Sequence, residues 1–128
     1  MTLRVFLVED LPQMRELLGE LIRTIGGLRV VASAGTEAEA KLWLEDNPGA
    51  WDLAVVDLVL EQGSGMGVIA RAKALTPHKR IVVFSSYITP GMRAHCLKLG
   101  AEAVFEKADT GGFIRWLHAT AGGSAPPA

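Results

Sequence analysis

Cysteine is almost missing from this 128-residue chain. Cys96 stands alone, so no intramolecular disulfide and no cysteine-based zinc cluster can form within it. Its setting in "MRAHCLKLG" is that of a small apolar helix residue, with no neighbour that marks a lowered thiol pKa. An excess of either charge is missing too. Thirteen Lys and Arg against 14 Asp and Glu give a formal net charge of −1, which excludes bulk attraction to nucleic acid or an anionic membrane. No apolar run approaches the roughly 18 residues of a membrane span, and the N-terminus has no basic segment leading into an apolar stretch and a small-residue cleavage site. These absences predict a soluble, cytoplasmic protein with no membrane contact and no direct nucleic-acid binding. Nucleotide-loop signatures are also absent. "GSGMG" at 63–67 lacks the G-x-G-x-x-G spacing, and no Walker lysine follows it. His78, His95 and His118 have no close Cys or acidic partner at metal spacing and read as solvated residues.

What is present is an apolar fraction of 49% against 21% charged residues, enough to exclude disorder and to fill the core of one domain. Periodicity orders it. "LRVFLV" at 3–8 is a strand-length apolar run, after which Met14, Leu17, Leu18, Leu21, Ile22 and Ile25 recur as a helix face. Pro12 suits the first turn of that helix and Gly26-Gly27 its end. "LRVVASA" at 28–34 is the second strand. Thr36 and Glu39 read as a capping box for a helix with Ala40, Trp43 and Leu44 inward, stopped at Asn47-Pro48-Gly49. "LAVV" at 53–56 lacks alternation, as a central parallel strand does. A helix with Val68, Ile69, Ala72 and Leu75 inward follows, then "RIVVF" at 80–84, a helix opened by Thr89-Pro90, "AEAVFE" at 101–106, and a last helix burying Phe113, Ile114, Leu117 and Ala121. Residues 1–121 are expected to form the domain and 122–128, ending "GGSAPPA", a flexible tail.

Five strand–helix units in strict alternation predict an α/β fold, an open parallel doubly wound sheet with helices on both faces. Ligands of such sheets sit at the carboxyl ends of the strands. In this chain the first strand ends in Glu9 and Asp10, the third in Asp57, the fourth in Ser85 and the fifth in Lys107. With strand order 2-1-3-4-5, three carboxylates, a hydroxyl and an ammonium converge on one rim. Two adjacent acids repel unless a cation compensates them.

"VED" after the first strand, "VVDLVL" around Asp57, "FSS" and "GAEAVFEK" together resemble the receiver domain of two-component response regulators, the stand-alone chemotaxis-regulator type among them. The resemblance covers nearly all of residues 3–121. It implies a flavodoxin-like five-stranded sheet and a phosphoacceptor switch rather than an enzyme acting on other substrates. Asp57 takes the phosphoryl group from a sensor histidine kinase, a histidine phosphotransfer protein or a small phosphodonor, catalysing its own phosphorylation and dephosphorylation. Asp10, Asp57 and the Val59 carbonyl hold Mg²⁺, with Glu9 acting partly through water, while Lys107 and Ser85 hold phosphoryl oxygens. The output is a changed surface for a downstream protein, with a homodimer as an open arrangement. Hard Mg²⁺ prefers such oxygen ligands. The absence of an Asp-x-Asp motif after the first strand argues against a doubly wound phosphatase.

Departures from the family pattern carry their own expectations. Ala108 follows Lys107 where proline is usual, so a trans bond is expected there. Val104 stands where the family commonly has a switching Tyr or Phe, and Phe105 faces the opposite side of its strand. Glu61 replaces the customary proline, and Gly63, Gly65 and Gly67 suggest a mobile loop. The resemblance also places Val59 and Tyr87 beside the approach of hydrolytic water. The alternative to a switch is therefore a phosphorylation-independent interaction or assembly module. Trp43 and Trp51 read as core or rim aromatics, Trp116 as either exposed or packed, and "PHKR" at 77–80 as a solvated loop.

Overall fold

Leu53–Val56, apolar at every position, is buried along its whole length and forms the middle strand of a five-stranded parallel sheet. In a computed structural model that describes residues 2–122, the elements run β1 (Leu3–Val8), α1 (Pro12–Ile25), β2 (Leu28–Ala34), α2 (Glu37–Asp46), β3 (Leu53–Val56), α3 (Gly65–Leu75), β4 (Arg80–Ser85), α4 (Pro90–Leu99), β5 (Ala103–Glu106) and α5 (Thr110–Ala121). The strand order is β2-β1-β3-β4-β5, the flavodoxin-like order that the family resemblance implies. Gly122 caps α5, and the rest of the expected tail lies outside the described residues. No described helix is long and apolar enough to cross a membrane.

The pleat divides the core in two. Val5, Leu7, Leu53, Val55, Val82 and Phe84 pack against Leu18 and Ile22 of α1 and Phe113 and Leu117 of α5. Their strand neighbours Phe6, Val8, Ala54, Val56, Ile81 and Val83 face Ala40 and Leu44 of α2, Val68 and Ile69 of α3, and Cys96 of α4. A side-chain period of two thus accounts for both layers from one sheet. Caps set where the helices begin. Thr36 Oγ1 accepts from the Glu39 N–H at 3.1 Å, Ser64 Oγ from Met66 N–H at 3.1 Å and Thr89 Oγ1 from Met92 N–H at 3.0 Å.

Some inward assignments change at the edges of the apolar stripes. Leu17 is 60% exposed because it lies roughly 100° around the helix from Leu18, off the face that Met14, Leu18, Ile22 and Ile25 cover. Leu75, the last residue of α3, is exposed where the chain leaves the sheet. Ile114 is only half-buried. Trp116 is buried instead, with the Arg80 guanidinium 5.6 Å from its ring centre. The basic loop is not simply solvated, since Arg80 pairs with Glu102 at 2.7 Å and Lys79 approaches Asp52 at 3.9 Å. Cys96 is buried, and burial raises its thiol pKa despite the opposing charge of Arg93, which makes it inert.

Asp52 ties β1 to β3 by accepting from the Arg4 backbone N–H at 2.8 Å and from its guanidinium at 3.0 and 3.1 Å. The Arg4 hydrogen bonds hold the Asp52 carboxyl below its ordinary value of 3.8 against the opposing effect of burial. A depressed pKa contributes stability that is present above the unfolded value and lost as pH falls through the folded one. Asp52→Asn is therefore expected to lower stability by a constant margin from neutral pH down to about 3.8, the margin closing below it. Urea unfolding across that range checks this, and a margin that survives unchanged in stronger acid contradicts it.

Candidate functional site

The sheet ladder continues one residue past several strands. Glu9 N–H donates to Ala34 O at 3.0 Å, Asp57 N–H to Val8 O at 3.0 Å and Lys107 N–H to Ser85 O at 2.8 Å. Residues that follow β1, β3 and β5 are thereby fixed side by side at the carboxyl rim. Glu9 is 1% exposed, Asp57 and Ser85 are buried, and Asp10 is half-buried. Glu9, Asp10 and Asp57 each bring a carboxylate oxygen within 4.8 Å of the others.

Lys107 supplies the cation that such a cluster requires. Its Nζ donates to Glu9 Oε1 at 2.6 Å and to Asp57 Oδ2 at 3.0 Å. Ser85 Oγ donates to Asp57 Oδ1 at 2.6 Å, an oxygen that also accepts from Val59 N–H at 3.2 Å. Leu58 N–H in turn donates to Ser85 Oγ at 3.3 Å. Asp57 is thus held from both sides. The remaining Glu9 oxygen accepts from Leu11 N–H at 3.1 Å, and Asp10 Oδ2 accepts from Glu61 N–H at 2.7 Å.

Burial raises the Glu9 pKa, the Asp57 charge adds to that, and the bonds from Lys107 and Leu11 offset it only in part. Burial alone would lower the Lys107 pKa, but its bonds to Glu9 and Asp57 more than reverse this and raise it. One firmly charged ammonium against three carboxylates leaves an excess of negative charge in an all-oxygen donor set. That chemistry fits a hard divalent cation such as Mg²⁺.

All six residues singled out from the sequence lie at this rim, with Val59 opening the loop after β3. Two further contacts were not legible in the sequence. Arg15 Nη1 donates to Glu9 O at 2.9 Å, and the Leu58 N–H holds the Ser85 hydroxyl. Neither has a local pattern, since one depends on where α1 starts and the other on a backbone group. The glycine-rich loop is also different from expectation. Gly65 and Gly67 belong to the first turn of α3, and Gly65 N–H donates to Leu58 O at 3.0 Å. A Cβ on Gly65 would collide with the Asp57 carbonyl, so this glycine permits close approach rather than mobility.

Val104 is buried on the α2–α4 side, and Phe105 lies on the other, edge-on to Phe113 with ring centres 6.0 Å apart. Arg93 Nη1 donates to Val104 O at 2.6 Å. The Lys107–Ala108 peptide is trans. Val59, in the loop after β3, and Tyr87, in the loop after β4, are 61% and 67% exposed.

The family model described as the response regulator receiver domain matches residues 5–111. The chain belongs to this family. Methanol utilization control regulatory protein MoxX of Paracoccus denitrificans is 27% identical over 107 residues, covering 82% of this chain and 47% of that protein. This receiver domain thus spans about half the length of that curated relative. A two-component response regulator of the LuxR family from Aurantimonas sp. SI85-9A1 superposes with a TM-score of 0.85 at 26% identity, over 97% of this chain and 88% of that one. The response regulator domain of Thermotoga maritima CheB gives 0.81 at 19% identity over 99% and 100% of the two chains, a likeness of fold. Receiver domains are phosphoacceptor switches that bind Mg²⁺ at an acidic pocket and interact with histidine kinases and downstream effectors.

Proposed function

We propose that residues 1–121 act as a cytoplasmic switch that accepts a phosphoryl group on Asp57 and thereby changes a protein-binding surface. The observation that carries this reading is the Asp57 carboxylate itself, held between the Lys107 ammonium and the Ser85 hydroxyl with two more carboxylates beside it. A carboxylate oxygen of Asp57 forms the new O–P bond as the P–N bond of a kinase or phosphotransfer-protein phosphohistidine breaks. The imidazole leaves with the electron pair and takes up a proton. Lys107 and Ser85, released from the Asp57 oxygens, then hold phosphoryl oxygens in place. Asp10, Asp57 and the Val59 carbonyl would hold Mg²⁺, and Glu9, whose two oxygens are already engaged, would act through water. When bound, the ion supplies charge neutralisation for the transferring group.

Intact-mass measurement after incubation with a small phosphodonor tests this reading. One phosphoryl addition that requires Mg²⁺ is expected, and no addition with any donor contradicts it. A second reading, an interaction or assembly module in which phosphorylation does not drive output, is favoured by Val104. This small β-branched side chain has few rotamers to exchange, and its carbonyl is already held by Arg93.

Val59 and Tyr87 bear on how long the acyl phosphate survives. Neither side chain carries an amide that can orient water or a carboxylate that can orient it and accept its proton, a contribution worth on the order of 10²–10⁴-fold where such a group is placed. Self-dephosphorylation is expected to be slower in the parent than in the double variant Val59→Asn with Tyr87→Glu. Phosphoryl loss over time at fixed Mg²⁺ and pH decides this, and a parent that decays as fast as the variant refutes the part assigned to these two positions.

A further inference from the structure

The loop between β3 and α3 is gripped from outside by one residue of α2. Glu37 N–H donates to Gln62 O at 3.1 Å, and Glu37 Oε1 accepts from Ser64 N–H at 2.7 Å. One bond uses the backbone and the other the side chain, so both the place and the direction of the loop are set. Lys41, one turn further along α2, pairs with the second oxygen of the same carboxylate. That pair and the Ser64 N–H keep the Glu37 carboxyl below its usual range, so it is charged at neutral pH.

The loop is shaped to receive this side chain. Gly63 has φ +91°, and a Cβ there would strike the Glu37 side chain. A Cβ on Gly67 would strike the Glu37 carboxylate. Residues 59–64 contain no proline to stiffen them. Ser64, the residue that Glu37 holds, forms an isolated antiparallel bridge with Val59, and Gly65 N–H reaches Leu58 O. The residue that Glu37 holds therefore stands directly opposite Val59, with the pairing closed by the Gly65–Leu58 bond.

We propose that Glu37 is a positioning residue for the cation site, fixing the β3–α3 loop so that the Val59 carbonyl remains in place beside Asp10 and Asp57. The inference rests on the reading in which Mg²⁺ binds those three groups. The experiment is calorimetric Mg²⁺ titration of the parent, Glu37→Ala, Glu37→Gln, Gly67→Ala and the double variant Glu37→Ala with Gly67→Ala, with hydrogen exchange at the Ser64 amide read in the metal-free proteins. Glu37→Ala is expected to raise the Kd about 10-fold, the lower end for partners that orient metal ligands, and to speed Ser64 exchange. Glu37→Gln keeps an oxygen for Ser64 N–H and is expected to recover most of the affinity. Gly67→Ala displaces the carboxylate and is expected to weaken binding in the parent but to add little in the Glu37→Ala background. If Glu37→Ala binds Mg²⁺ within about twofold of the parent, or Gln loses as much as Ala, the proposal is overturned. A parent that binds no Mg²⁺ while Ser64 protection still depends on Glu37 overturns the cation reading and this role together, leaving only a structural clamp. Should Glu37→Ala fail to fold, the Gln and Gly67→Ala variants carry the same comparison.

Discussion

Replacing Lys107 with methionine is expected to leave the metal-free protein about 3 kcal/mol less stable at neutral pH, because it strands Glu9 and Asp57 as adjacent buried carboxylates. Methionine keeps much of the stem's packing, so the loss reports the charge. The deficit depends on pH in a defined direction. Burial already raises the Glu9 pKa above 4.5, and a group with a raised folded pKa contributes stability that is present below the unfolded value and lost as pH rises through the folded one. Removing the Lys107 bond, which lowers that pKa, widens the window. The gap between variant and parent is expected to be smallest near pH 4.5 and to grow towards neutrality. Denaturant unfolding in chelator at several pH values measures it. A gap under about 1 kcal/mol at neutral pH, or one independent of pH, contradicts the ion-pair geometry. Phosphoryl acceptance is expected to fall by about 10²-fold or more, the usual loss when a charge-stabilising donor is removed from a reacting centre.

Asp10→Asn is expected to weaken Mg²⁺ binding by at least about 100-fold while leaving the fold intact. Asparagine preserves an oxygen for the Glu61 N–H that Asp10 Oδ2 accepts at 2.7 Å, so the loop anchor survives and only the charge is lost. Hard divalent cations depend on that charge for affinity. Asp10→Ala removes the anchor as well and is expected to lose both affinity and some stability. Calorimetric titration with thermal unfolding separates the two variants. Asp10→Asn binding within about threefold of the parent would place the cation elsewhere.

The first two strands were legible to the residue, whereas β4 runs one residue past the apolar run to Ser85 and β5 begins at Ala103, two residues later than the sequence suggests. Leu3–Val8 and Leu28–Ala34 read as strands because apolar runs of strand length are bounded by turn residues; alternation implied a parallel sheet, and the family resemblance supplied its order. Glu9, Asp57 and Lys107 were legible because each follows a strand directly, where the ladder holds it, and Ser85 because it ends one. Errors fall where a side chain sits at the margin of its stripe, as with Leu17, Leu75 and Ile114. They also fall where the partner is remote. Nothing near Glu37 announces Ser64, 27 positions away. The glycines at 63–67 were read as freedom because their local signal is the same whether space is left open or filled from another helix.

Acceptance of the phosphoryl group by Asp57 is tested most directly by locating it. The parent and Asp57→Asn are incubated with Mg²⁺ and a small phosphodonor, reduced with borohydride to trap the acyl phosphate as homoserine, digested and sequenced by mass spectrometry. The expected result is conversion at position 57 in the parent and none in the variant, with Asp10 and Glu9 unmodified. Conversion at another residue, or an Asp57→Asn protein that gains phosphoryl mass at the parent's rate, would contradict it.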